Sequence, residues 1–196
     1  SAVNAVLAAA AERWGLALGV GSQRAALRDP SLVPTYAIAR ESAPTAFLIA
    51  NVGISQLVAQ DGELALGGDD IRRIIDMVRA DALAVHLNYL EESVQPEGQT
   101  RARGAAEALA RLCRTSPVPI IAKETGAGIG REVALRLAGL GVKALDVGGV
   151  GGTSFAVIEA KRAEARGDAR RALLGQRFAD WGLPTAVSTV AAAAAG

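Results

Sequence analysis

Polar residues that could bind an anion or a cofactor follow almost every apolar run of the 196-residue sequence. They are Ser22 and Arg24, Asn51, His86 and Asn88, Lys123 and Glu124, and Thr153 and Ser154. If the apolar runs are parallel strands, these residues stand at or just past the carboxyl ends, which form the ligand-binding edge of α/β folds. The pattern predicts one site at that edge, although ordinary surface polarity also begins where strands end.

Lys123 and His86 are harder to explain as surface residues. Lys123 closes the apolar run Ile120-Ile-Ala-Lys123. Because burying an ammonium without a partner costs several kcal/mol, we expect an anion beside it. His86 is the only histidine, and a lone histidine among apolar residues is more often a hydrogen-bonded core residue than a ligand. Asn88 would share its face of a strand, which keeps a binding role open.

Two loops add possible ligand contacts. The segment from Asp146 to Ser154 contains four glycines between an apolar run and a helical pattern, so its bare N–H groups could meet an anionic or electron-rich group. It lacks the P-loop pattern, as does the segment Gly126 to Gly130. Glu91, Glu92 and Glu97 lie in a predicted polar loop from Glu91 to Thr100. Their oxygens suit Mg²⁺, and a solvated acidic loop is the alternative.

Five apolar runs must position these residues, and each predicts a strand. They are Leu16 to Gly21, Ala46 to Asn51, Ala82 to Asn88, Pro117 to Lys123 and Lys143 to Val147. Helices are predicted at Ala2 to Arg13, Ile54 to Gln60, Ile71 to Val78 behind Asp69 and Asp70, after Thr100 through Arg114, Arg131 to Leu140, Phe155 to Arg166 and Arg171 to Trp181. Continuous apolar strands alternating with helices predict an α/β protein with a parallel sheet. Length alone favours a doubly wound sheet over a (β/α)8 barrel, which typically needs roughly 250 residues.

Composition excludes several classes of protein. A content of 51% hydrophobic and 21% charged residues is typical of a globular chain rather than a disordered one. The formal net charge of +1, with no long block of like charge, argues against nucleic-acid binding. No apolar run approaches the roughly 18 to 20 residues that span a bilayer. Cys113 is the single cysteine and cannot form an internal disulfide, which predicts a reducing, cytoplasmic location.

Taken in order, five segments resemble type 2 isopentenyl-diphosphate isomerase, the FMN-dependent isomerase of isoprenoid synthesis. They are Gly21-Ser-Gln-Arg24, Ile49-Ala-Asn-Val-Gly53, His86-Leu-Asn-Tyr-Leu-Glu-Glu92 with Gln95-Pro-Glu-Gly98, Ile121-Ala-Lys-Glu-Thr-Gly126, and Asp146 to Ser154. The resemblance implies a (β/α)8 TIM barrel rather than a doubly wound sheet. It predicts that residues 1–196 form one partial barrel covering about the second to sixth strands of a longer enzyme.

The resemblance also implies roles for the strand-end residues. FMN-contacting positions of the family correspond to Ser22, Asn51, Lys123, Gly148 and Thr153. Arg24, His86 and Asn88 correspond to contacts with the substrate's diphosphate and its surroundings, and Glu92 to the Mg²⁺ ligand. Lys123 would then meet the negative charge of reduced FMN, which supplies the expected anion.

The implied reaction converts isopentenyl diphosphate to dimethylallyl diphosphate by a 1,3-allylic proton shift. Reduced FMN acts as acid and base, and NADPH serves only to reduce the flavin. Glu91 stands where the family commonly has glutamine, and we take it as a candidate substrate-binding and catalytic residue. A carboxylate beside a diphosphate needs the metal or its own protonation to offset repulsion. The resemblance further predicts a homo-oligomer at full length.

Two other functions are compatible with parts of the pattern. Another FMN barrel of the 2-hydroxy-acid oxidase type shares the lysine and the glycine loop, but it usually relies on a histidine late in the barrel. The segments from His86 to Glu92 and from Gln95 to Gly98 favour the isomerase. A noncatalytic phosphate-binding or assembly module built on a partial barrel is the third possibility.

Overall fold

A computed structural model describes residues 1–195 and shows one parallel five-stranded sheet. The strands are β1 (Leu18–Gly19), β2 (Leu48–Gly53), β3 (Ala82–His86), β4 (Ile120–Lys123) and β5 (Ala144–Asp146). They lie side by side in chain order and curl into an open arc resembling half of a barrel. The predicted α/β class is confirmed. The order has no reversal, so it excludes the doubly wound alternative, and it is compatible with part of a β/α barrel.

Ten α-helices accompany the sheet within the described residues. They are α1 (Ala2–Trp14), α2 (Arg24–Arg28), α3 (Val33–Ser42), α4 (Gly68–Val78), α5 (Tyr89–Val94), α6 (Ala105–Thr115), α7 (Arg131–Gly139), α8 (Phe155–Ala165), α9 (Ala169–Arg177) and α10 (Thr185–Ala193). The 3₁₀ segments Pro30–Leu32 and Ile54–Leu57 follow α2 and β2. None of these helices is both long enough and apolar enough to cross a membrane.

The two faces of the sheet differ in chemistry. Side chains alternate along a strand, and residues paired in register on parallel strands share a face. One face packs against the helices and is buried, with Leu48, Ala50, Val52, Leu83, Val85, Ile120 and Ala122 between 0% and 1% exposed. The other, which we call the interior face, carries Ile49, Asn51, Gly53, Ala82, Ala84, His86, Ile121, Lys123, Ala144 and Asp146. The polar groups therefore lie together on the interior face.

Periodicity explains which helices the sequence reveals. In α4, Ile71, Ile74, Ile75 and Val78 recur at helical spacing and all are buried. Its first turn is closed by Asp70, whose carboxylate accepts a hydrogen bond from the Gly67 backbone N–H at 3.0 Å. The helix thus begins one residue before the predicted caps, with the acidic group at the positive end of the helix dipole as expected.

The structure corrects the sequence analysis at three places. Tyr89–Val94 forms α5, so the first part of the predicted polar loop from Glu91 to Thr100 is helical. The helices α2 and α3 lie in a segment for which no element was predicted, and α10 occupies the alanine-rich end. Helix α5 shapes the candidate site, because it places Glu91 and Glu92 on one short helix directly after β3.

Candidate functional site

A row of four residues crosses the interior face where the strands end, an edge we call the carboxyl edge. Gly53 pairs in register with His86, His86 with Lys123, and Lys123 with Asp146. In-register neighbours lie one strand spacing apart, about 4.8 Å. The sheet therefore brings together the two residues that sequence reasoning singled out, His86 and Lys123, side by side on adjacent strands.

Asn51 and His86 form a direct contact within this site. The Nδ1 atom of His86 lies 2.8 Å from the Oδ1 atom of Asn51, and the Nδ2 atom of Asn51 donates to the Val20 carbonyl at 3.0 Å. Burial, together with the positive charge of Lys123, lowers the pKa of His86 from 6.5 to about 4. The imidazole is therefore neutral at pH 7, so it does not add a second positive charge to the site.

Lys123 has no ion-pair partner among the residues that the structure describes. Among residues 1–195, no carboxylate oxygen lies within 4.0 Å of its Nζ atom, although Asp146 is its in-register neighbour. The side chain is partly buried at the end of β4. An ammonium that emerges from apolar surroundings without an ion pair is stabilised by an anion supplied by a ligand. No side chain of residues 1–195 forms the predicted ion pair, although the charge of Lys123 acts on Glu91.

The interior face carries small residues as well as the polar row. Ala84 and Ala144 flank Ile121 in register, two residues before Lys123 on β4. Thr153 lies exposed in the loop after β5, and Ser22 lies partly buried in the loop after β1. The Ser22 carbonyl accepts from the Tyr36 hydroxyl at 2.7 Å. Ser22 and Thr153, two of the predicted flavin positions, thus lie in the loops after the first and the last strand, on either side of the row.

Gly148 has a structural reason to be glycine as well as a predicted flavin contact. Its φ is +41°, and a Cβ there would lie 2.2 Å from the Glu124 carbonyl oxygen. The loops after β4 and β5 consequently touch backbone to backbone. The Glu124 carboxylate fixes the first loop by accepting from the backbone N–H groups of residues 125, 126 and 127 at 2.6 to 2.9 Å. Glu124 is a loop cap here.

Arg24, predicted to contact diphosphate, is held by the protein. Its Nη2 atom donates to Glu63 Oε2 at 2.8 Å, and Arg28 pairs with the same carboxylate. The Nε2 atom of Gln99 donates to Glu63 Oε2 at 2.8 Å. Glu63 therefore accepts from three side chains, two on α2 and one in the loop after α5, and holds Arg24 beside a cavity of about 390 Å³ that these residues line. A diphosphate that binds Arg24 would compete with Glu63.

Glu92 is turned into the protein. It is 5% exposed, and its oxygens accept from Asn88 Nδ2 at 3.1 Å, from the Gln99 backbone N–H at 2.6 Å and from Ser55 Oγ at 3.5 Å. The Oδ1 atom of Asn88 is buried without a hydrogen-bond partner among the described residues. Asn88 and Glu92 thus belong to a buried polar network with one open acceptor position.

Glu91, one residue earlier, is only partly buried. Burial raises the pKa of its carboxyl group, and the negative charges of Glu159 and Glu92 raise it further, against a hydrogen bond from Asn88 and the charge of Lys123. Its oxygens accept from Gln95 Nε2 at 3.0 Å and from Asn88 Nδ2 at 3.4 Å. The group holds a proton more readily than an ordinary glutamate, which would reduce its repulsion of a diphosphate.

The Mg²⁺ role of Glu92 stays a prediction. Both of its oxygens accept hydrogen bonds within the chain, and each keeps a further lone pair that a metal ion could use. Glu97, the third carboxylate of the predicted loop, is bound by Arg162 and Arg166 on and just after α8. Residues 1–195 contain no group of three or more His, Cys, Asp or Glu side chains arranged to hold a metal ion.

Sequence reasoning missed the glutamines and Glu63 that connect the loops. Gln23 is fully buried: it donates to the Ile74 carbonyl at 2.8 Å and accepts from the Asn51 backbone N–H at 3.0 Å. Gln99 and Glu63 lie 36 residues apart in the chain. The only available signal was the presence of glutamine beside apolar residues, for example Gln56 in Ile54–Leu57. Such a signal does not identify a partner.

Comparisons with known proteins agree with the ordered motifs. No protein-family model matches the chain. Isopentenyl-diphosphate delta-isomerase of Methanosarcina acetivorans is 48% identical over 188 residues, which are 96% of this chain and 50% of that protein. The isomerase of Archaeoglobus fulgidus is 48% identical over 96% of this chain and 52% of its own length. The isomerase of Methanoregula boonei is 48% identical over 98% of this chain and 53% of its own length. The chain spans about half the length of the curated relatives it matches.

Proposed function

We propose that this chain contributes the carboxyl edge of an FMN-dependent isopentenyl-diphosphate delta-isomerase of type 2, within a TIM barrel. The observation that carries the proposal is that Lys123, which has no carboxylate within 4.0 Å among the described residues, lies beside the neutral His86 on the interior face. Identity of about 48% to proteins named for this isomerase supports the choice of reaction. The other FMN barrels considered above gain no support from these relatives.

In this proposal the chain's own residues hold the flavin and the substrate. Reduced FMN would supply the acid and base for moving a proton between the two allylic carbons, with no net redox change. Lys123 would stabilise the negative charge of the ring, with Ser22, Asn51, Gly148 and Thr153 around it. Arg24 would leave Glu63 to bind the diphosphate as a charge-assisted donor. Glu91 would lie beside the diphosphate, where its raised pKa makes it easier to protonate than an ordinary glutamate.

Three further features are proposals that rest on the resemblance alone. NADPH would reduce the flavin before the reaction. Mg²⁺ would accompany the diphosphate, and we derive no step through it because Glu92 is internally bonded. The full-length enzyme would be a cytoplasmic homo-oligomer.

The first test measures flavin retention. The purified chain is incubated with FMN and separated by gel filtration, and its visible absorption spectrum is recorded. Lys123→Met should weaken the binding of FMN that is loaded in its reduced, anionic form by roughly tenfold or more, because it removes the charge that faces the anionic ring. Lys143→Met is the matched control, since Lys143 is an exposed lysine just before β5 and should leave binding unchanged.

The second test measures turnover of isopentenyl diphosphate with FMN, dithionite and Mg²⁺ present. Formation of dimethylallyl diphosphate supports the proposal. Flavin retention without turnover would favour the noncatalytic binding module for this chain. Equal FMN affinity of the Lys123→Met and Lys143→Met variants would contradict the assigned role of Lys123.

A further inference from the structure

The side-chain amide of Asn51 has only one possible orientation. One end of the amide lies 3.0 Å from the Val20 carbonyl oxygen, and only an N–H group can face a carbonyl at that distance. The other end, which faces His86 Nδ1 at 2.8 Å, must then be the oxygen Oδ1. An amide oxygen accepts hydrogen bonds, so the imidazole nitrogen opposite it must carry a hydrogen.

The orientation of Asn51 consequently decides the tautomer of His86. A neutral imidazole has one N–H group and one nitrogen lone pair. If Nδ1 carries the hydrogen, Nε2 is left with the lone pair. Nε2 lies over the interior face of β2, because a Cβ added to Gly53 would stand 2.8 Å from it. It has no hydrogen-bond partner among residues 1–195, and it is not completely buried, so a ligand atom can approach it.

The charges around the ring favour the neutral form. Lys123, from β4, is the charged group whose field acts on His86, and a positive charge there opposes a second one. From β2 the ring is faced by Asn51 and Gly53, which carry no charge. No carboxylate is hydrogen-bonded to either ring nitrogen, so no counter-charge holds a proton on Nε2.

We propose that Asn51 is a positioning residue that fixes His86 in its Nδ1–H form, so that Nε2 enters the site as a hydrogen-bond acceptor. The group bound at Nε2 is then a donor: an N–H group, a hydroxyl or an ammonium such as that of Lys123. A deprotonated phosphate oxygen has only lone pairs to offer, so it could bind at Nε2 only if the ring took up a second proton. This inference rests on the proposed function and deepens it, because a contact of neutral His86 with the diphosphate would require proton uptake, whereas a contact of Arg24 would not.

The test uses the fact that His86 is the only histidine of the chain. Protein labelled with ¹⁵N-histidine gives one pair of ring-nitrogen resonances, and long-range ¹H–¹⁵N correlation shows which nitrogen carries the hydrogen. We expect Nδ1 to be protonated and Nε2 to be unprotonated at pH 7. An Nε2–H form, or a ring protonated at both nitrogens at that pH, would overturn the proposal.

Two variants separate a positioning role from a structural one. Asn51→Ala removes one hydrogen bond worth about 1 kcal/mol, so the ratio of the Nδ1–H to the Nε2–H form should fall by roughly fivefold. Asn4→Ala is the matched control, since Asn4 donates to the Thr35 carbonyl at the other side of the fold, and it should leave the ratio unchanged. An unchanged ratio in Asn51→Ala would contradict the proposal. The wild-type spectrum decides the tautomer even if Asn51→Ala does not fold.

The result is independent of the proposed isomerase activity. The tautomer is read in the chain without flavin or substrate, so a chain that fails to bind FMN can still confirm the role of Asn51. Conversely, flavin binding with His86 in the Nε2–H form would retain the proposed function and reject this inference.

Discussion

A cation lies near each end of the strands, at their amino ends, which we call the amino edge, and at the carboxyl edge. Only the cation at the amino edge is paired within the described chain. Before the strands begin, Arg40 on α3 is 8% exposed and donates to the carbonyls of residues 43, 44, 46, 78 and 79 and to the Asp81 carboxylate. Where the strands end, Lys123 faces no carboxylate within 4.0 Å among the described residues. The first cation is satisfied by the chain, and the second is not.

This difference separates stability from binding. A buried charge costs free energy unless polar groups surround it, and at the amino edge backbone carbonyls and Asp81 meet that requirement in the folded chain alone. At the carboxyl edge no side chain among the described residues forms an ion pair with Lys123, and in the proposed function a ligand would supply the anion. The same distinction holds in α/β barrels generally, where one edge of the strands serves stability and the other serves catalysis.

The largest effect should come from the amino edge. Arg40→Met leaves five backbone carbonyls and Asp81 without their donor, and we expect it to lower the free energy of unfolding by about 3–5 kcal/mol. Urea unfolding followed by circular dichroism measures the change. Arg111→Met on α6 is the control, because Arg111 is exposed, and it should stay within about 0.5 kcal/mol of wild type. Equal losses in the two variants would contradict the distinction.

Glu92 is an exception to this distinction, because we expect it to contribute to stability rather than to ligand binding. It lies at the carboxyl edge, yet its carboxylate is satisfied internally by Asn88, Gln99 and Ser55. Glu92→Gln replaces one acceptor oxygen with a donor, and we expect a loss of about 2 kcal/mol in the free energy of unfolding. Its matched control is the neighbouring Glu91→Gln, which should preserve stability because the pKa of Glu91 is already raised by burial.

The outcome also decides between two roles for Glu92. A Glu92→Gln variant that keeps its stability but loses Mg²⁺-dependent turnover would favour the predicted metal ligand over the structural role. A destabilised variant whose remaining folded fraction binds Mg²⁺ with unchanged affinity, measured by calorimetry with inorganic diphosphate present, would favour the buried network.

Local pattern was enough to predict the sheet but not the loops that shape the site. The five strands and the periodic helix α4 follow from short-range hydrophobic spacing, and the positions of His86 and Lys123 follow from the strands. The network from Arg24 through Glu63 to Gln99 joins segments 36 to 39 residues apart. Its members are ordinary polar residues whose partners depend on how the loops fold together, and no spacing rule identifies them. For the same reason the sequence did not reveal that Glu92 is buried in a hydrogen-bonded network.

Asp81 at the amino edge and His86 at the carboxyl edge should each make the free energy of unfolding depend on pH, in different pH ranges. These are the smallest effects that we predict. At the amino edge, burial opposes ionisation of Asp81, but hydrogen bonds from the Leu48 N–H and Arg40 lower its pKa below 3.8. Its contribution is therefore present above pH 3.8 and is lost only as the pH falls through the lowered folded value. His86 behaves differently. Its pKa is 6.5 when unfolded and about 4 when folded, so the unfolded chain binds the proton more readily between these values.

Lowering the pH from 6.5 to about 4 should consequently reduce the free energy of unfolding by about 1–2 kcal/mol. The effect is limited because the ring is partly exposed and solvent screens its charge. Urea unfolding at several pH values between 4 and 7 measures it. His86→Gln should remove the pH dependence of the free energy of unfolding between about 4 and 6.5, and it should keep the loss at lower pH that is due to Asp81. Asp81→Asn should remove the loss at lower pH and keep the change that is due to His86. If the free energy of unfolding of the wild-type chain does not change between pH 4 and 6.5, His86 titrates alike in the folded and unfolded states. The carboxyl edge would then not hold His86 neutral.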